Sequence, residues 1–407
     1  MSSDRKNLIL FTGDYPYGRG EAFLEHEIEI LSKDFDEILI CTKYEHNPKK
    51  VHRPLPPNVR IVGGLVPQNK KALIRKALLS FTPRADFYFL KELIKGGPLR
   101  GKAAFVRAFS GYLTLKIYLK SKLYADLLAK KNTVFYYYWG VGQVYMLPFI
   151  KKDPSNLYIA RNHASDLFVE NSNGYLLLRK EVYSALDELF PIGGFHAKYL
   201  HDKFGVDYSK MQIHRLGTRD YGLSPIPAQD GRITIVSCST LFKQKRVGLI
   251  AEALMHVKNK VTWHHFGDGY MMPEIKRLTT LLPKNIKVVL HGWQPLSTVL
   301  AFYKENPVDI FINVSSAEGI PVSIMEAISF GIPCVGTNCL GATSEIVNDS
   351  DGKLLEPDFK KEELATIIDA AKNPQWRAKR EGARGVWEQF YSADKNFGDF
   401  SKALRSL

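Results

Sequence analysis

The sequence predicts an α/β protein built from two doubly wound parallel sheets. Three observations carry that expectation. At 407 residues the chain exceeds one ordinary core, since domains hold roughly 100–200 residues. Short apolar runs of strand length alternate with amphipathic helical stretches, the pattern of a parallel sheet covered by helices on both faces. The pattern stops at a polar segment rich in Pro and Gly, from Gly217 to Gly231, and then begins again.

In the first half, residues 8–12 read as a buried strand followed by a Gly-rich loop, 13–20. Ala22, Leu24, Ile28 and Leu31 then recur at helical spacing. Residues 37–42 are a second strand, and the Pro-rich stretch 48–58 is a loop. Further buried strands are expected at 134–138, 157–161 and 189–192. Residues 70–131 are helical by pattern, with Phe105, Phe109, Leu113, Ile117 and Leu123 interleaved with Lys and Arg. In the second half, strands are expected at 233–237, 261–266, 286–291, 308–313 and 333–336. Helices are expected at 247–257, at 321–331 and from Lys360 onward. Two such halves place a ligand crevice at the carboxyl ends of the strands, in the cleft between them.

The composition, 45% hydrophobic and 24% charged, is that of a folded soluble chain. The apolar run at 8–11 is too short for a secretory signal, and no uncharged apolar stretch of about 18 residues exists to span a membrane. Cys41, Cys238, Cys334 and Cys339 are scattered and complete no zinc pattern, so reduced, buried thiols and a cytoplasmic location are expected. The net charge of +14 is concentrated: residues 60–131 hold 16 Lys and Arg against three acids, a local excess of +13.

The most informative stretch is 309–333, D-I-F-I-N-V-S-S-A-E-G-I-P-V-S-I-M-E-A-I-S-F-G-I-P. A buried strand ends at Asn313, a polar loop holds Glu318, and Pro321 suits a first helical position, where its missing N–H costs nothing. The free N–H groups around Ile320–Ser323 form an anion site at a helix N-terminus. Glu326 follows Glu318 by eight residues. One carboxylate can bind sugar hydroxyls and the other a ribose while the helix end faces a diphosphate. Two Glu residues at that spacing are common by chance; the strand, the loop, the Pro-started helix and the G-I-P turn around them make a pattern.

That pattern resembles the retaining GT-B glycosyltransferases of family 4, whose hallmark is E-G-x-P-x-x-x-x-E-A-x-x-x-G-x-P, met here from Glu318 through Pro333. The resemblance continues in Gly341-Ala-Thr-Ser-Glu345-Ile-Val, in Gly267-Asp-Gly269 and in His291-Gly292-Trp293. It covers 231–390 well and the first half loosely. It implies two Rossmann-like domains whose parallel sheets face a central cleft. An acceptor-side domain would occupy 1–217 with a basic helical insertion at 70–131, and a nucleotide-sugar domain 218–390. A C-terminal helix in 391–407 would pack back towards the first domain.

The resemblance also implies roles. Glu318 would hold the donor sugar and Glu326 the ribose, with Gly319, Ile320, Pro321, Val322 and Ser323 around the diphosphate. Gly292 and Trp293 would lie beside the base, and Gly267 on the same donor side. The family has Arg and Lys in R-L-x-x-x-K after the first strand of this domain. Here Lys245 fits the Lys position, Thr240 stands at the Arg position, and Arg246 or Lys243 is the substitute cation or else part of an ordinary solvated face. In the first half, His163 and Asp166 follow a strand at the expected place of the family's His-containing loop. Gly18, Gly20 and Glu21 belong to its first Gly-rich loop, where Glu21 either faces the acceptor or caps its helix. Glu318, Lys245 and His163 are thus the expected catalytic residues. No cofactor and no metal are expected: Asp34-Phe-Asp36 and Asp349-Ser-Asp351 read as solvated turns.

The expected activity is retaining transfer of a sugar from a nucleotide-diphosphate sugar, UDP- ahead of GDP-, to a glycan or lipid-linked acceptor in surface-polysaccharide synthesis. For the basic segment 60–131 the reading is an anionic membrane surface, giving peripheral attachment at the inner face of the plasma membrane. Nucleic acid is not expected, because charge comes without a recognised binding motif. The rival readings are a sugar-nucleotide epimerase, an enzyme of glycogen or sucrose metabolism, and a non-catalytic sugar- or nucleotide-binding protein on the same scaffold.

Overall fold

The computed structural model describes residues 6–18, 20–21, 23–47, 53–172, 174–229 and 231–407. Ala22 of the expected first helix, residues 48–52 of the expected Pro-rich loop, and Arg19 and Asp230 of the two expected loops lie outside the described residues. The chain forms two compact units, one of Met1–His214 with Phe397–Leu407 and one of Arg215–Asn396.

Unit 1 holds six strands: β1 (Asn7–Thr12), β2 (Glu37–Tyr44), β3 (Val59–Val66), β4 (Thr133–Tyr137), β5 (Leu157–Asn162) and β6 (Glu188–Pro191). Their order is β3-β2-β1-β4-β5-β6 and every pairing is parallel. Unit 2 repeats the plan with β7 (Ile233–Cys238), β8 (Val261–Phe266), β9 (Ile286–Gly292), β10 (Ile310–Asn313), β11 (Cys334–Thr337) and β12 (Gly352–Leu355). Their order is β12-β11-β10-β7-β8-β9, again parallel throughout. In each unit the order reverses beside the first strand, so the topological switch lies between β1 and β4 and between β7 and β10.

Sequence reading missed β3 and β12. In β3 the pair Gly63-Gly64 interrupts the apolar run, and a register shift of β2 at Ile40/Cys41 accommodates it. A Cβ on Gly64 would lie 2.0 Å from the Tyr44 carbonyl oxygen, so the strand needs the glycine that hides it. The β12 strand is four residues long, too short for a periodic signal. The helices Met272–Thr279 and Leu296–Glu305 complete unit 2. Several boundaries moved: β2 runs on to Tyr44, the expected 247–257 helix runs Gly248–Leu254, β10 begins at Ile310, two residues late, and the expected 321–331 helix runs Val322–Ser329. Pro321 is therefore the N-cap, not the first helical residue, because its ψ of 98° is extended. The expected solvated D-x-D turns are only partly so: Asp349 is exposed and pairs with Lys353, but Asp34 accepts from Ser401 of the last helix, and Asp351 is buried and accepts from Asn348 N.

The unit 1 core joins Leu8, Leu10, Ile28, Ile38, Tyr136 and Ile159 with Phe400 and Leu404 from the chain's last helix, Ala393–Ser406. At its centre the Arg161 guanidinium donates to Glu27 Oε2 at 3.2 Å, and Tyr136 OH donates to Glu27 Oε1 at 2.7 Å. Both charged side chains are fully buried, and Arg161 stacks on Phe400 at 4.2 Å.

The basic region folds as four helices, Lys70–Leu78, Pro83–Ile94, Lys102–Leu119 and Lys122–Leu128. Their outer side is apolar and cationic together. Leu78, Phe81 and Ile94 are 73%, 76% and 78% exposed, with Ile74, Leu79, Phe87, Leu90 and Leu99 also exposed, among exposed Lys70, Lys71, Arg75, Lys76, Arg84, Lys91 and Lys95. Among the described residues no helix is long and apolar enough to cross a membrane.

Removing one partner of a buried ion pair strands the other. Glu27→Ala is expected to lower the stability of unit 1 by about 3–5 kcal/mol in urea unfolding. A loss below about 1 kcal/mol, the range of an exposed pair, would show that Glu27 does not balance Arg161.

Candidate functional site

The unit 2 site forms where β7 and β10 end. Asn313, the last residue of β10, accepts from Ser315 N at 3.0 Å and donates through Nδ2 to Glu318 Oε1 at 3.1 Å. Lys245, from the loop after β7, donates to the same oxygen at 2.6 Å. The loop holding Glu318 is fixed by backbone: Glu318 N donates to Leu340 O, Ala342 N to Gly319 O, and Ser316 N to Gln244 O. Gly341 has φ +122°, and a Cβ there would lie 1.6 Å from the Glu318 carbonyl oxygen, so only glycine lets the two loops meet. Glu318 stays largely covered, with 11% of its side chain exposed, and Lys245 is the cation that meets it.

The helix Val322–Ser329 starts beside this cluster. Ile324 and Met325 donate back to Pro321 O, which leaves the N–H groups of Val322 and Ser323 as the first of the helix without an intrahelical acceptor. Glu326 stands three and four residues further on, on the face those two residues share. Burial pushes its carboxyl up to about 8.

Thr240 is exposed, and Lys243 beside it is exposed as well. The Arg246 guanidinium donates to Val314 O at 2.7 Å and Pro357 O at 2.6 Å. It therefore ties the β7 loop to the β10 loop and faces backbone rather than Glu318. On the other flank, Gly267 N donates to Gly292 O at 2.8 Å, and a Cβ on Gly267 would lie 1.8 Å from Ser239 O. Trp293, next to Gly292, is 51% exposed.

The unit 1 site forms where β1, β4 and β5 end. The Glu21 carboxylate accepts from three successive amides, Gly13 N at 2.8 Å, Asp14 N at 2.8 Å and Tyr15 N at 2.7 Å, and from Trp139 Nε1. It thus shapes the Gly-rich loop from inside; the first helix, Leu24–Leu31, has Phe23 at its N-cap. Gly18 and Gly20 sit exposed at the tip of that loop, Gly18 with φ +68°. Asp166 bridges two loops by accepting from Gly140 N at 2.6 Å and His163 N at 2.7 Å, and burial raises its carboxyl to about 6.

His163 packs against Tyr138 and Trp139, with ring centroids 4.7 and 4.6 Å away. Its ring nitrogens are buried and have no hydrogen-bond partner among the described residues, as is true of His196 and of the Asn162 amide. Burial, then the neighbouring Arg161, hold His163 well below the usual histidine range, and burial holds His196 at about 3. Both rings are neutral at neutral pH.

Sequence reading did not find Asn313, Trp139, Gly140, Asn162 or Arg179. Arg179 donates to the Gly140 carbonyl, and a Cβ on Gly140 would lie 2.3 Å from Asn162 Nδ2. One signal was available: Trp139-Gly140 directly follows the apolar run of β4, where a doubly wound sheet places its ligand.

Comparison with known proteins adds to this geometry. Residues 232–372, inside unit 2, match the family described as glycosyl transferases group 1. Over 115 residues, 28% of this chain and 32% of the relative, the sequence is 30% identical to the lipopolysaccharide 1,6-galactosyltransferase of Escherichia coli (strain K12). Over 91 residues, 22% of each protein, it is 33% identical to the UDP-Gal:alpha-D-GlcNAc-diphosphoundecaprenol alpha-1,3-galactosyltransferase of Escherichia coli. The matched stretch thus spans a third or less of these relatives' lengths. Among solved structures, Anabaena Alr3699/HepE in complex with UDP-glucose matches with a TM-score of 0.66 at 16% identity, covering 98% of this chain and 100% of that one. The fold is that of the GT-B glycosyltransferases, with two Rossmann-like domains.

Glu326 sets a pH dependence. Its folded carboxyl titrates near 8 against an ordinary value of 4.5, so the folded state keeps a proton that the unfolded chain releases. The stability this contributes is complete below pH 4.5 and declines as pH rises towards 8, by up to about 1.4 kcal/mol per pH unit. Glu326→Gln, which cannot ionise, is expected to gain on wild type in urea unfolding from pH 5 to pH 8. A difference independent of pH would mean that the carboxyl is charged throughout.

Proposed function

We propose that this chain is a retaining glycosyltransferase of surface-polysaccharide assembly. It moves a sugar from a UDP-sugar held by unit 2 to a glycan or lipid-linked acceptor held by unit 1. The observation that carries the reading is the meeting of Lys245 with Glu318 beside the helix start that leads to Glu326. The printed names of the two relatives, with lipopolysaccharide and UDP-Gal in them, and the UDP-glucose of the solved neighbour support it.

In this reading the N–H groups of Val322 and Ser323 and the Lys245 ammonium face the donor diphosphate. Glu318 accepts from hydroxyls of the transferred sugar, and Glu326 from the ribose. The acceptor oxygen bonds to the anomeric carbon on the face from which the diphosphate leaves. The broken bond's electron pair stays on the diphosphate, whose oxygen takes the acceptor's proton. The configuration is retained and no separate general base is used. Catalysis is positioning plus charge stabilisation, with Lys245 and the helix end supplying the positive charge and no metal ion required. Neutral His163 backs the acceptor side through its contacts with Tyr138 and Trp139.

The apolar and cationic side of the 70–128 helices supports attachment to the cytoplasmic face of the plasma membrane. Exposed Leu78, Phe81 and Ile94 would enter the interface while Lys and Arg meet anionic headgroups, each worth about 1 kcal/mol.

Glu318→Ala is expected to cut transfer at least about 100-fold with the circular dichroism unchanged. Among UDP-, GDP-, ADP- and CDP-sugars, only the UDP-sugars are expected to raise the melting temperature, and Glu326→Ala to weaken them about tenfold, or about 1.4 kcal/mol. A wild-type transfer rate in Glu318→Ala would overturn the assignment. The membrane reading is checked by flotation: the protein should rise with anionic liposomes at low salt and stay down at high salt. Joint reversal of Lys70, Lys71, Arg75 and Lys76 to Glu should abolish flotation, and binding that persists in that variant would refute the surface.

A further inference from the structure

Unit 1 contains a cavity of about 920 Å³ that the donor chemistry does not use. One wall is the helix Lys102–Leu119, from Lys102 and Ala103 through Val106 to Thr114, about 18 Å of helix at 1.5 Å per residue. Leu176 and Leu177 add apolar side chains to the lining, and Leu177 lies against Gly111 of that helix. Gly13 and Trp139, from the loops that follow β1 and β4, and Ser165, from the short helix Ala164–Leu167 after β5, also line it. Trp139 packs at a tilt against His163, with ring centroids 4.6 Å apart, so the cavity reaches the acceptor-side residues already described. Val106 lines it and is also 57% exposed, on the helix that carries exposed Phe105 and Phe109. Val106 thus belongs at once to the lining and to the exposed apolar surface of one of the basic helices.

The lining has a chemical signature. A pocket for a free glycan offers carboxylates and amides to hydroxyls. Here the formal charges are Lys43, Lys102 and Arg107, and no Asp or Glu occurs among the described lining residues. The Gln143 amide is already engaged on Thr12 O at 2.6 Å. Apolar walls with positive charge fit an occupant that is apolar along its length and anionic at one group.

The geometry points to a binding site for a phosphate-bearing lipid. Its apolar chain would lie along Val106, Leu176 and Leu177, its phosphate would be met by Lys43, Lys102 and Arg107, and its sugar end would reach Gly13, Trp139 and Ser165. This rests on the glycosyltransferase reading and narrows its acceptor from a glycan or lipid-linked sugar to an anionic lipid-linked one. The site fills from the side that the membrane reading turns towards the bilayer, so the acceptor need not leave the interface to bind.

The test is isothermal titration of the full chain with geranyl phosphate below its micellar concentration, with geraniol, and with inorganic phosphate. Geranyl phosphate should bind, geraniol at least tenfold more weakly, and inorganic phosphate without measurable heat. Val106→Trp fills the mouth from an exposed position and should weaken geranyl phosphate at least tenfold. Non-specific adsorption to the apolar surface would instead strengthen, because the substitution enlarges that surface. Lys102→Glu, also exposed, should weaken geranyl phosphate and leave geraniol unchanged. Silence of geranyl phosphate, equal binding of geraniol, or unreduced affinity in Val106→Trp would each overturn the proposal. The UDP-sugar thermal shift on the same preparations separates the two readings. A UDP-sugar shift with silent geranyl phosphate removes only the lipid site, whereas geranyl phosphate binding without a UDP-sugar shift keeps the site and removes the transferase reading.

Discussion

The unit 2 site depends on backbone lying against backbone. The Glu318 carbonyl oxygen and Gly341 approach so closely that no Cβ fits between them, and Ser239 and Gly267 repeat the contact one layer away. These approaches pin the loops after β7, β8 and β10 to their neighbours, with Arg246 bracing two of them through carbonyl oxygens. Once the Glu318 backbone is held between Leu340 and Gly341, its carboxylate meets Lys245 and Asn313. The polarity of the site follows from where glycine allows the chain to run.

Unit 1 reaches order at the same topological position by another device. Carboxylates turned inward gather amide groups, three on Glu21 and two on Asp166, and so define the loops after β1, β4 and β5. The groups left around them are neutral and unpaired among the described residues: His163, His196 and Asn162. One sheet plan therefore carries a charged cluster in one unit and a set of neutral donors and acceptors in the other. The first presents charge at the strand ends, whereas the second is covered and shapes the loops around it.

What was legible in the sequence is what is local. Ten of the twelve strands announced themselves as apolar runs, and the stretch from Glu318 to Pro333 could be read because one strand, one loop and one helix hold it. β3 escaped because the glycines its packing needs break its apolar pattern, and β12 because four residues carry no period. Side-chain direction was the harder matter. Glu21 follows a Gly-rich loop and could have faced a ligand or capped a helix; three amides of its own loop claim it instead. Arg246 stood one residue from Lys245 and looked equally available, yet its left-handed backbone, φ +48°, accompanies a guanidinium aimed at carbonyl oxygens 68 and 111 residues away. Contacts at such separations leave no mark in a local pattern.

The return of Phe397–Leu407 to unit 1 has a consequence for how the molecule is made. Phe400 and Leu404 belong to the core that begins with Leu8, and Phe400 covers the buried Arg161. A chain grows from its N-terminus at about 5–20 residues per second, so the earliest core waits for some of the latest residues. Unit 2, whose core residues are contiguous in sequence from Ile233 to Trp376, can close while the chain is still growing. The first-made half then spends that interval with its closing helix missing, the period in which a nascent chain is most open to holdase chaperones and proteases.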